Sequence, residues 1–61
     1  MNGPVTCVYR AYEDGELVAT GRLMLDALPN VGAEVTLNGR THLVRAVDFG
    51  GGEHVLTLEP R

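Results

Sequence analysis

The chain has no tryptophan and no lysine, and it holds one cysteine and one phenylalanine. Each shortage excludes something. A lone Cys7 rules out an internal disulfide. Cys7, His42 and His54 are the only soft metal ligands, and their spacing offers no zinc pair, so neither a metal nor another cofactor is expected. With aromatics limited to Tyr9, Tyr12 and Phe49, core filling falls to Val, Leu, Ala and Met. Without lysine, all five bases are arginines, set against eight acids for a net charge of −3. A binder of duplex nucleic acid carries a basic excess to neutralise phosphates, so that class is disfavoured. No run approaches the ~20 apolar residues of a membrane span. The opening "MNGPV" has neither a basic region nor an apolar stretch of leader length. One unpaired cysteine suits a reducing interior. A soluble, cytoplasmic protein is expected, with no membrane partner.

At 61 residues the chain makes one domain, spanning 1–61, with 44% hydrophobic and 21% charged residues. A domain this small buries only about 60% of its unfolded surface and needs support. With disulfide and metal excluded, self-association is the remaining aid, and a homo-oligomer is expected.

The residues present read as strands. "VTCVYRAY" (5–12) is rich in β-branched and aromatic residues and shows no helical period. Asp14-Gly15 is a two-residue hairpin signal, because a type I′ turn needs positive φ at both central positions. "LVATGRLML" (17–25) returns, with Gly21 suggesting a bulge or bend. "DALPNVG" connects: Pro29 holds Leu28 extended, and Gly32 supplies an unusual φ. A strand over 33–37, the Asn38-Gly39 turn and a strand over 40–49 follow. "GGGE" reads as a looser third turn before a last strand over 53–59. Short turns between neighbours imply an antiparallel meander, and Gly-marked bends imply curling into a small barrel. The fold class expected is all-β: a small five-stranded antiparallel barrel or strongly bent meander.

The pattern L-P-x-V-G-x-x-V-x-L-x-G-R-x-x-x-V-x-x-V over residues 28–47 resembles the central part of small SH3-like barrels. Such barrels recur among uncharacterised bacterial and bacteriophage proteins. The quoted stretch is a third of the chain, and the resemblance as a whole covers about half of it. It implies a fold and leaves function open, since these barrels host many unrelated activities.

Face assignment sharpens the search for a site. A two-residue turn at Asp14-Gly15 pairs Glu13 with Glu16, Tyr12 with Leu17, Arg10 with Ala19 and Val8 with Gly21. Neither face of that hairpin is then cleanly polar, although a sheet with one wet face alternates cleanly. Either a bulge near Gly21 switches the register or another subunit covers the second face. In the second hairpin, Val35, Leu37, Val44 and Ala46 share a face, and a bulge around Arg45-Ala46 returns Val47 to the core.

Few residues carry chemistry. Cys7, mid-strand and without a neighbouring His, reads as a small core hydrophobe. His54 is expected beside Asp48 across the third turn, as ordinary sheet stabilisation. "GGG" at 50–52 lacks the Lys and following helix of a phosphate loop and reads as a hairpin tip. "EDGE" (13–16) together with Asp26 reads as a solvated acidic end, without calcium-loop spacing. The arginines remain. Arg10, Arg22, Arg40 and Arg45, with Tyr9, Tyr12 and His42, are the candidate ligand- or partner-binding residues, because arginine and an aromatic ring together take an anion or a stacked base. No nucleophile–base pair is placed, so no catalytic residue is expected and the chain reads as a non-enzyme. The expected function is a small self-associating interaction module that binds a protein partner, a bacterial or phage accessory protein by the resemblance above. The alternative is an oligomer that holds a small anionic ligand, a nucleotide or short oligonucleotide, in an Arg/Tyr-lined pocket between subunits.

Overall fold

The computed structural model describes residues 4–61. The leader expectation at residues 1–3 lies outside the described residues. Five strands form: β1 (Val5–Glu13), β2 (Glu16–Leu25), β3 (Glu34–Leu37), β4 (Arg40–Gly50) and β5 (Glu53–Pro60). Each boundary lies within one residue of the expected one. Asp14 and Gly15 take φ of 52° and 81°, and Asn38 and Gly39 take 50° and 79°, so both expected two-residue turns form. The third turn differs from expectation. It is equally tight: Gly51 and Gly52 both sit at positive φ, and the ladder continues to Gly50 opposite Glu53. Three consecutive glycines suggested slack, yet only two are needed to close the hairpin. No helix of the described residues is long and apolar enough to cross a membrane.

All five strands join one curled sheet, a half-barrel, in the order β2-β1-β5-β4-β3. The expected purely antiparallel meander is corrected here. β1 and β5 lie side by side in parallel, Cys7 opposite His54 and Ala11 opposite Leu58. The sheet is therefore mixed. An antiparallel hairpin (β1, β2) and a three-stranded meander (β3, β4, β5) are joined along that central ladder. Short turns dictate pairing within each unit. They carry no information about how the units meet, and the eight residues from Asp26 to Ala33 let β3 go to the far edge instead of pairing with β2.

Two bulges set the faces. In the first hairpin, Glu13–Glu16 and Tyr12–Leu17 pair as expected, and then the register slips at Val18, so Ala11 opposes Ala19 and Tyr9 opposes Gly21. The bulge lies three residues before Gly21. Gly21 answers a different need: a Cβ there would stand 2.9 Å from Tyr9 Cε2, so the ring lies over the glycine. The second bulge falls at Arg45, where a slip between Val44 and Ala46 turns Val47 inward as expected.

After these slips one face is coherent. Cys7, Ala11, Val35, Leu37, Val44, Leu56 and Leu58 are buried together in the concavity, with Val5, Tyr9, Leu23, Leu25 and Val47 packed on them. β1 and β5 run one way and β2 and β4 the other, so Leu25 and Glu34 lie at the same end. The 26–33 connection bridges the open side there. It is held by a turn in which Ala33 N–H donates to Asn30 O, and by Gly32 N–H donating to Val44 O at 2.8 Å. At the other end, between the edges of β2 and β3, the half-barrel stays open: no Cα of β2 comes within 8 Å of one in β3.

Leu56, fully buried on the central strand β5, is the most exacting core position. Leu56→Ala should cost about 3 kcal/mol. Exposed Val31→Ala should stay within about 0.5 kcal/mol. Urea unfolding followed by circular dichroism checks both. Equal costs would contradict a core confined to the concave face.

Candidate functional site

The open end of the half-barrel is where the sequence candidates partly converge. A groove of about 250 Å³ lies between the two sheet edges. β1 supplies Tyr9, Ala11 and Glu13 to it, and β2 supplies Val18 and Ala19. Leu37 and Asn38 close it from the β3 side, and Arg40 and His42 from β4. The alternation of these strands explains the set: 9, 11 and 13 share the concave face of β1, as 40 and 42 do on β4. Over the rim lies a wider, more open depression of about 390 Å³ lined by Tyr12, Glu13, Asp14, Arg40 and Glu59. Glu13 and Arg40 belong to both, and their side chains meet at 3.7 Å, forming the ridge between groove and depression.

His42 is nine-tenths buried in the groove wall. Its Nδ1 lies 3.1 Å from the Arg40 carbonyl. A carbonyl only accepts, so Nδ1–H donates to it. Among the described residues no group donates to Nε2, and no buried polar side-chain atom is left unpaired, so Nε2 keeps access to the groove.

The expected arginine set divides. Tyr9, Arg40 and His42 come together at the groove, and Tyr12 and Arg40 at the depression. Arg10 and Arg22 point from the convex face, and Arg45 sits at the β4 bulge. Arg22 pairs with Glu53 at 2.6 Å across β1, and Arg45 approaches Glu59 at 3.7 Å. Arg61 pairs with Glu34. Among the described residues only Arg10 lacks a carboxylate partner; it stands between Thr20 and Thr57. Exposed pairs of this kind contribute about 0–1 kcal/mol each. Their larger consequence is electrostatic, because four guanidiniums are already offset.

Other placements depart from expectation. Asp48 opposes Val55, and His54 opposes Phe49, with ring centroids 4.9 Å apart and edge-to-face. The tight Gly51–Gly52 turn shifts the register by one from the looser loop that would have paired His54 with Asp48. The acidic end is also different. Asp26 follows the ten-residue β2 and lies at the opposite end from Glu13–Glu16. The third carboxylate beside Glu13 and Asp14 is Glu59, brought there by the parallel β1·β5 ladder. Glu59, Val18 and Leu37 were not singled out as site residues, since only strand order reveals their proximity. Among the described residues no three His, Cys, Asp or Glu side chains gather into a metal-holding cluster.

No protein-family model, curated protein or solved structure matches this chain.

Cys7 is fully buried at the centre of β1, and desolvation raises its thiol above the ordinary value of 9.0. Ellman's reagent should leave it unmodified in the native protein and react fully in urea. Its contribution to stability is constant well below pH 9, where the thiol is protonated in both states. Above that, the unfolded thiol loses its proton first, so the contribution falls as pH rises through the folded value. Urea midpoints for wild type and Cys7→Ala at pH 8 and pH 10 check the sign: the decline should be steeper in wild type. Rapid modification of native protein would put the thiol at the surface.

Proposed function

We propose that this chain is a non-enzymatic interaction module of the small SH3-like kind, which self-associates and binds a protein partner. The supporting observation is the convex face of the first hairpin. A face left to water alternates toward polar residues. Here Val8 and Tyr12, with Val55 of the neighbouring β5, stand half-buried on that face, and at the two ends of β2 Leu17 and Met24 are 52% and 70% exposed. Thr20 and Arg22 lie between those ends. Apolar ends around a polar middle are self-complementary about a two-fold axis: Met24 of one copy meets Leu17 of the other. The residues 28–47 pattern supports the SH3-like, bacterial or phage accessory reading, and a cytoplasmic setting accords with the lone buried thiol.

The competing reading, an anionic ligand held between subunits, draws support from Arg10, the one arginine without a carboxylate partner among the described residues. The ion pairs at Arg22, Arg40 and Arg45 weigh against it, since each would have to break to serve a phosphate.

Light scattering at micromolar concentration should report a dimer or larger. Leu17→Lys with Met24→Lys should return a monomer with an unchanged circular dichroism spectrum. A monomeric wild type would overturn self-association. Thermal shifts with a panel of nucleotides separate the competing reading, which requires stabilisation of about 2.7 kcal/mol at a hundredfold excess over Kd.

A further inference from the structure

We infer that the groove between the β2 and β3 edges takes one extended peptide strand from a protein partner, apolar at alternate positions and ending in a basic residue. This rests on the interaction-module reading and names its partner's chemistry.

Three independent observations converge. The first is spacing. Neighbouring strands lie about 4.8 Å apart, and the two edges of this half-barrel stand more than 8 Å apart at every Cα, too far to pair. Yet Val18 and Ala19 of one edge and Leu37 and Asn38 of the other line one groove. A single added strand needs two spacings, about 9.6 Å, which a separation beyond 8 Å leaves room for, and in the proposed complex it pairs with both edges. The connection 26–33 already bridges the far end, so the accessible stretch is short, matching the four residues of β3.

The second is the lining. The floor includes Ala11 and Leu37, both buried, which suit apolar side chains on alternate residues. Beside them the nine-tenths-buried His42 ring opens Nε2 to the groove, with no protein hydrogen-bond partner on that atom among the described residues. A polar group of an incoming strand can meet it there.

The third is charge and direction. β2 and β3 run in opposite senses, so an added strand is antiparallel to one and parallel to the other. Pairing antiparallel with the longer β2 edge sends its C-terminal end toward Glu13, Asp14 and Glu59. Arg40 meets Glu13 and Arg45 meets Glu59, each at 3.7 Å, so among the described residues Asp14 is the carboxylate left there without an arginine. A Lys or Arg at that end of the peptide balances the surplus, and an acidic one adds to it.

The test uses the full chain and an acetylated peptide Thr-Val-Thr-Val-Thr-Val-Lys-Lys. Two controls replace the lysines by glutamates, or the central valine by proline, which cannot donate to a ladder. Affinity is measured by fluorescence anisotropy at low salt, and contact by amide hydrogen exchange. The lysine peptide should bind about tenfold tighter than the glutamate peptide, and the proline peptide should not bind. Binding should slow exchange at amides of both β2 and β3. Asp14→Asn with Glu59→Gln, both exposed and isosteric, should weaken the lysine peptide about fivefold. No binding of the lysine peptide, equal binding of the glutamate form, or protection of a single edge would overturn the inference. Light scattering on the same samples separates the two readings. A self-associating protein that ignores the peptide sinks the groove inference alone, and a monomer that ignores it sinks the module as well.

Discussion

The parallel ladder between β1 and β5 is the contact on which the rest of this molecule depends. It joins two units that local turn chemistry builds separately, and it stacks Cys7, Tyr9 and Ala11 against His54, Leu56 and Leu58. Without it the first hairpin would have one poorly covered face and the meander another, and a two-stranded hairpin is marginal alone. Four of the seven fully inward hydrophobic residues lie on these two strands, so the core is centred on the join. Parallel pairs are ordinarily covered on both faces by helices. Here curvature does half of that task by folding the sheet's own wings over its concave side. Among the described residues no strand or connection covers the convex side.

That join also decides where the edges fall. With β1 and β5 central, β2 and β3 become the outer strands. They face one another across a gap that the 26–33 connection spans at one end only. The edges have no lysine and no proline within either strand, and what blunts them is the four-residue length of β3 and the bulge at Val18 in β2. Charge is managed instead by pairing each of four arginines with a glutamate over the surface. The same arrangement gathers Glu13, Asp14 and Glu59 at one rim and sets Arg40 and Arg45 against two of them, so Asp14 is, among the described residues, the carboxylate there without an arginine.

How much of this was legible in the sequence follows from the range of the physics involved. Asp14-Gly15 and Asn38-Gly39 favour positive φ by local chemistry alone, so the hairpins and strand limits were readable. The Arg45 bulge was readable because Val47 had to face the core from the wrong parity. The bulge at Val18 was not located, since Gly21 offered a more obvious backbone anomaly; only the Tyr9 ring over it reveals that Gly21 is there for contact. Strand order was beyond local reasoning altogether, and with it went the meeting of Glu59 with Glu13 and the splitting of the arginines between two faces. Tyr9, Arg40 and His42 were found as types of residue. Their convergence belongs to the curl.

The β1·β5 ladder has a temporal side as well. Its partners are separated by nearly the whole length between Cys7 and His54, so loop closure must precede any gain from the pairing. During synthesis β1 and β2 emerge first and form their hairpin, but Cys7, Leu23 and Leu25 have nothing to rest on until β5 has left the ribosome. The nascent chain is thus obliged to carry an uncovered apolar strip through most of its translation. The speed at which β5 arrives, more than the stability finally reached, sets how long that strip stays open to other chains.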